Sequence, residues 1–305
     1  MTTQIELIDD SEDVPQQTAG SRHRQTEVET DAELVELWLS QKSEETQRTY
    51  RHDVGQEMDY IGRTIRSTKL EHLVAWAQEL ARREYARSTQ CTKLSAIRSL
   101  YSFAHRVGYT AFNVGAALRL PKSKDTLGEK ILSEAEVQRI IGMTSGRDRV
   151  LLATLYGLGV RVSEAVGLTW NDLQEHRESG VAVVFGKGSR TRTTTGPCTL
   201  WDTLCDQKKE SMAGDWPVFV SQKGGSLDPS QVFRIVRKAA RRAGINTDER
   251  PVSPHWFRHS HASHALDRGA PIHLVQSTLG HESLGTTSRY VHARPDESSG
   301  DYLSL

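Results

Sequence analysis

Along the first third of the chain, apolar positions recur at helical spacing and nowhere alternate as a half-buried strand would. Leu34, Val35, Leu37 and Trp38 open the series, behind Thr30 and Glu33, a pair able to satisfy each other's backbone N–H groups as a capping box. Tyr50, Val54, Met58 and Ile61 form a second stripe, and Leu70, Leu73, Val74, Ala77 and Leu80 a third. Leu94, Ile97, Leu100, Phe103 and Ala104 form a fourth, after Ser88. Four or so helices are therefore predicted over residues 29–120. Residues 121–130, PKSKDTLGEK, are polar and aperiodic with Pro and Gly, which predicts a linker. A second capping pair, Ser133 and Glu136, opens a second domain over residues 131–305. It should begin with a buried helix over 150–159, VLLATLYGLG, that leads to Arg161. Strands at 181–185 and 191–195, a helix near 200–213, a short strand at 218–220 and a helix from Ser230 to Ala243 follow. Histidine-bearing helices close the chain. The predicted class is mainly α with a small antiparallel β-sheet (α+β), in two domains. A length of 305 residues suits that number, at about 100–200 residues per domain.

Composition removes several alternatives. No apolar run reaches the roughly 18 residues of a membrane span, and no secretory leader pattern is present. Cys91, Cys198 and Cys205 have neither metal nor redox spacing and fit a reducing cytoplasm. The net charge of zero conceals a separation: residues 1–34 hold nine acids against two bases, leaving 37 bases to 30 acids in the rest. The body is thus basic enough to follow a phosphate backbone. Residues 1–28 read as a disordered acidic tail, able to compete with DNA for the basic face or simply to solubilise the chain.

The candidate chemistry lies in the second domain. A guanidinium pairs two phosphoryl oxygens at once and never loses its proton, so Arg161 and Arg258 suit a clamp on a phosphodiester. Each would be worth about 3–4 kcal/mol to its transition state. With no G-x-S-x-G elbow and no plausible Cys–His pairing, the nucleophile falls to Tyr290. His255, three residues before Arg258 on a helical face, is placed to take the phenolic proton. Lys187, between Gly186 and Gly188 at the tip of a predicted hairpin, could protonate a leaving alkoxide. Glu164, three residues after Arg161, could orient a guanidinium, and His281 after Gly280 could donate to the phosphate. No metal or cofactor is required. Seven of the twelve histidines fall within 251–292, but without H-E-x-x-H spacing or a C-x-x-C pair to make a zinc site.

These residues sit in four ordered strings: YGLGVRVSEAVGL from 156, GKGSRTR from 186, SPHWFRHSHASHAL from 253 and LGHESLGTTSRYVH from 279. Over residues 30–292 the chain resembles the tyrosine recombinases, the Xer type of integrase in particular. The resemblance implies a helical core-binding domain before a catalytic domain. It further implies phosphate activation by Arg161, Lys187, His255, Arg258 and His281, and a 3′-phosphotyrosine on Tyr290. Arg82, Arg83, Arg87, Lys93, Arg98 and Arg106 in the first domain, with Arg190 and Arg192 beside Lys187, are the expected DNA contacts. The partners expected are double-stranded DNA, further copies of the chain as a tetramer on paired sites, and a related recombinase or accessory protein; no membrane is expected. One departure stands out: Asn113 precedes Val114 where the family usually has Pro. In the family the segment after the nucleophile docks into a neighbouring subunit, which residues 291–305 could also do. A type IB topoisomerase and a non-catalytic DNA-binding protein remain the alternatives.

Overall fold

Glu33 N–H donates to Thr30 Oγ1 at 3.2 Å and Thr30 N–H to Glu33 Oε2 at 3.1 Å, so the first helix starts where its capping pair sets it. The computed structural model describes residues 26–122, 126–176, 179–186, 191–208, 212–247, 250–281 and 283–291. The acidic stretch 1–25, Lys187, Arg190 and the tail 292–305 lie outside the described residues. The chain divides into two units, residues 1–124 and 125–305.

The first unit packs helices α1 (Asp31–Ser40), α2 (Glu44–Ile61), α3 (Leu70–Arg82) and α4 (Arg87–Arg106) around Leu34, Trp38, Leu73, Trp76, Leu80, Leu94, Ile97 and Leu100. The third stripe is centred differently from its prediction. Trp76 is fully buried, its ring 5.1 Å from that of Tyr60 on α2, while Val74 is 40% exposed. Asn113 accepts from Ala116 N–H at 3.1 Å and starts a 3₁₀ turn, so it supplies a cap where a proline would have preset the backbone. Lys93, expected at a DNA face, is buried instead. Its Nζ donates to Asp53 Oδ1 and Gln56 Oε1, both at 2.7 Å, and an ammonium held there cannot reach a phosphate.

Glu57 is 1% exposed; among the described residues Tyr101 Oη donates to its Oε1 at 3.3 Å and Oε2 has no hydrogen-bond partner. Burial raises its pKa to about 7 against the pull of that hydrogen bond. Its folded pKa lies above the unfolded value, so the carboxyl costs nothing near pH 4.5 and destabilises progressively as pH rises toward 7. Glu57→Gln is therefore expected to leave stability near pH 5 almost unchanged. At pH 8 it should add about 3 kcal/mol, since the pKa is raised from 4.5 to about 7 and each pH unit is worth roughly 1.4 kcal/mol. Urea unfolding at the two pH values checks this; an equal effect at both would remove the carboxyl as the cause.

The second unit opens with α5 (Glu134–Gly142) on its own capping box, Ser133 with Glu136. It continues through α6 (Gly146–Gly157) and α7 (Val162–Gly167). Strands β1 (Leu173–His176), β2 (Ser179–Phe185) and β3 (Thr191–Thr195) form an antiparallel sheet in that order. Phe185 pairs with Thr191 at the base of the hairpin on which Lys187 was expected. The polar sequence of β1 carries no strand signal. Next come α8 (Cys198–Cys205), α9 (Pro229–Arg242), α10 (Pro254–Asp267), α11 (Ile272–Leu279) and α12 (Leu284–Val291). Two predictions fail here. The helix at 200–213 stops at Cys205, and residues 218–220 are no strand. They are held by Val218 N–H on Leu168 O at 2.9 Å and by Phe219 O accepting from Leu227 N–H at 3.0 Å. Leu127, inside the stretch expected as linker, is buried with Ala262, Val275, Leu279 and Tyr290.

Candidate active site

Helix α6 ends at Gly157, and the chain reverses through Gly159 at φ +58° before Arg161 starts α7 as its N-cap. Gly159 is required there twice over. The left-handed φ disfavours a side chain, and a Cβ would stand 2.7 Å from the His261 ring. Arg161 thus sits at the helix start rather than within a helix. Its backbone N–H donates to Glu164 Oε2 and its Nη1 to Oε1, both at 2.7 Å.

Glu164 gathers two more guanidinium groups. Arg192, from β3, donates through Nη1 and Nη2 to the two carboxylate oxygens at 2.9 and 2.8 Å, and through Nε to Thr278 O at 2.7 Å. Arg258, from the centre of α10, comes within 4.0 Å of Glu164 Oε2. It donates to Gly159 O at 2.6 Å and also to Leu279 O. One carboxylate therefore faces three fixed cations drawn from α7, β3 and α10, an excess of positive charge that suits an anion. Burial, the largest influence, pushes the Glu164 pKa up. Arg192, the Arg161 backbone and the Arg161 side chain outweigh it and hold the carboxyl at about 2. Burial and then Arg161 push Arg258 down to about 9, still charged at neutral pH. Arg161 has the most open side chain of the three, about a third exposed against 12% for Arg192 and 4% for Arg258.

Three histidines and the tyrosine complete the cluster. His255, one turn before His259 on α10, is exposed at its outer edge. Desolvation of its inner side, then Arg258 and Arg161, lower its pKa. His281 follows Gly280, the left-handed C-cap of α11 at φ +62°, and its Nδ1 lies 2.9 Å from Thr287 Oγ1 on α12. Burial first, then the three arginines, bring its pKa to about 4. Tyr290 is 3% exposed, its ring stacked at 6.3 Å from His281. Burial raises its pKa, while Arg258, Arg289 and Arg161 pull it back. Its hydroxyl is met by His259, whose Nδ1 lies 2.8 Å away, not by His255 as the spacing implied.

Arg161, Glu164, Arg258, His281 and Tyr290 are thus brought together, with His255 at the edge. Arg192, expected to contact DNA, has its three nitrogens bonded inside the protein. Of the other arginines, Arg82, Arg83, Arg87 and Arg106 are exposed and Arg98 is half-buried. Arg82 and Arg83 both hold Glu79, at 2.7 Å. His261 and His264 are structural, bonded to Tyr156 O at 2.7 Å and Tyr156 Oη at 2.9 Å. Sequence reasoning gave no role to His259, to Thr287, or to the basic face of α9. There Arg234, Arg237, Lys238, Arg241 and Arg242 stand exposed at i, i+3, i+4, i+7 and i+8. That last period was readable.

Comparison with known proteins identifies the family of the chain. Residues 130–297 match the phage integrase family, and residues 34–108 match the phage integrase N-terminal SAM-like domain. The chain belongs to the phage integrase family. It is a tyrosine recombinase, an enzyme of DNA strand transesterification, with an N-terminal SAM-like domain and a catalytic domain. Tyrosine recombinase XerC of Halalkalibacterium halodurans is 35% identical over 233 residues, covering 71% of this chain and 75% of its own. Tyrosine recombinase XerD of Corynebacterium glutamicum is 30% identical over 292 residues, covering 86% and 94%. In fold, the recombinase is similar to a lambda integrase dimer bound to a core site, with TM-score 0.71, 18% identity and coverage of 89% and 98%. It is also similar to the XerH site-specific recombinase in a post-cleavage complex, with TM-score 0.63, 16% identity and coverage of 88% and 95%.

Proposed function

We propose that this recombinase exchanges strands between two duplexes through a 3′-phosphotyrosine on Tyr290. The observation that carries the reading is one buried carboxylate, Glu164, bonded to Arg161 and Arg192 and 4.0 Å from Arg258, with the charges of Arg258 and Arg161 acting on the buried hydroxyl of Tyr290. In this reading Arg161 and Arg258 neutralise the non-bridging oxygens of the scissile phosphate as charge builds on them. His281, with Nδ1 on Thr287, turns Nε2 toward the phosphate as a donor, and His255 closes the outer edge. Glu164 and Arg192 keep the guanidinium groups aligned. No metal enters, and the bond energy is held in the tyrosyl ester, so religation needs no external energy source.

Double-stranded DNA is the partner, met by the exposed arginines of the first unit and by the basic face of α9, since repeated cations on one helix face follow a phosphate backbone. A tetramer on paired sites in the cytoplasm is the assembly we infer. A lambda integrase of the same fold has been seen as a tetramer bound to a Holliday junction. Among the described residues no helix is long and apolar enough to cross a membrane. Strand transfer between paired duplexes, against relaxation of a single supercoiled plasmid, tests the proposal. Relaxation without transfer would make this a topoisomerase-like enzyme.

Lys187 is assigned to protonating the 5′-oxygen as it leaves. Lys187→Ala is then expected to cleave ordinary DNA about 10²-fold or more slowly and to recover on a 5′-bridging phosphorothiolate, whose sulfur leaves without a proton. Arg258→Ala should not recover, because its role is charge stabilisation. Equal rescue of both variants in a cleavage time course would take the proton from Lys187.

A further inference from the structure

We propose that His259, the residue after Arg258, is the group that takes the proton from Tyr290 as its hydroxyl attacks. The inference rests on the reading of Tyr290 as nucleophile and adds the base that reading lacks. The phenolic oxygen lies 2.8 Å from His259 Nδ1, the rings 5.8 Å apart at 44°, within the reach of direct proton transfer. His255, which sequence spacing put forward, stands a turn away with its ring 6.4 Å from that of His259.

The charge state fits. Desolvation is the largest influence on His259. The groups that face it add to this: the titratable ring of His255 on the same helix, and the cations Lys130 from the turn before α5, Arg258 beside it and Arg289 on α12. Together they bring its pKa to about 4. The ring is neutral at pH 7, so with its proton on Nε2 the bare Nδ1 accepts from Tyr290. As the Oη–P bond forms and the P–O5′ bond breaks, the phenolic proton passes to Nδ1 and the leaving oxygen takes its proton from the general acid. In religation the 5′-hydroxyl returns its proton to the general acid as it displaces Oη, which recovers the proton from His259. A bound phosphate places negative charge beside the imidazolium and raises the basicity that the DNA-free site suppresses. The position of His259 next to Arg258 links proton transfer to occupancy of the clamp.

The test uses the full-length chain and a nicked duplex whose sequence is recovered from the adducts the wild-type protein forms in cells. His259→Asn places Oδ1 near the former Nδ1, so it accepts a hydrogen bond but cannot take a proton. His259→Leu can do neither. Both variants should shift the duplex in a gel as wild type does and form adduct about 10²-fold or more slowly. The wild-type rate should rise with pH over an acidic limb, and both variants should lack that limb. A His259→Asn chain with the wild-type rate and profile overturns the proposal, because a hydrogen bond alone would then suffice. So does a His259→Leu chain that reacts at the wild-type rate. Tyr290→Phe run alongside keeps the two readings apart. Adduct from that chain sinks the nucleophile assignment, whereas an inert Tyr290→Phe beside a fast His259→Leu sinks only the base.

Discussion

A Tyr290→Phe chain is expected to fold, bind its DNA and form no covalent adduct at all. The substitution removes one oxygen from a side chain that is 3% exposed, and the phenyl ring fills the same space among Leu127, Ala262, Val275 and Leu279. What folding loses is the hydrogen bond to His259, worth about 0.5–1.5 kcal/mol, so the melting temperature should move by a few degrees at most. DNA affinity should hold, because the guanidinium cluster around Glu164 and the basic face of α9 are untouched. Chemistry, in contrast, should vanish rather than slow, since a transesterification without its nucleophile has no intermediate. Denaturing gels of labelled, nicked duplex check this. A protease-sensitive shifted band from the Phe chain would mean that another residue attacks.

Replacing Glu164 by Gln should be the most damaging change to the site as a structure. The carboxylate accepts four hydrogen bonds, from the Arg161 backbone and side chain and from two nitrogens of Arg192, with Arg258 at 4.0 Å. A Gln amide nitrogen would turn a donor toward at least one of those donors and leave three guanidinium groups with no counter-charge. Breaking a buried pair from one side costs about 3–5 kcal/mol. Cleavage should fall by about 10²-fold as Arg161 and Arg258 lose alignment with the phosphate. The pH dependence identifies the cause. Glu164 is held at about 2 in the folded chain, below its unfolded value near 4.5. Its stabilisation is therefore complete above pH 4.5 and is lost as pH falls through 2. The difference between wild type and Glu164→Gln in denaturant unfolding should be widest near neutrality and should narrow in acid. Equal stability at pH 7 would reduce Glu164 to a bystander.

Local order was legible in the sequence wherever a short-range rule governs it. Thr30 with Glu33 and Ser133 with Glu136 start their helices because capping depends on four consecutive residues. The apolar stripes of α1, α2 and α4 and the span of α9 followed from a 3.6-residue period. The residue types at 161, 258, 281 and 290 suggested a cluster suited to phosphoryl chemistry, and the fold brings those side chains together. Tertiary structure alone decided which group meets which. His255 and His259 are both histidines on one helix, a turn apart, and only the approach of α12 puts the phenol against the second. Arg192 and Lys93 are cations in sequences that suit DNA contact. Each is drawn inward by a carboxylate distant in the chain, Glu164 for one and Asp53 for the other, and no local pattern encodes such a pairing. Burial then sets the charge states, lowering His259 and His281 and raising Tyr290 and Glu57. The identity of a titratable group is written in the chain, but the solvent it loses and the charges it meets are fixed only when distant segments pack together.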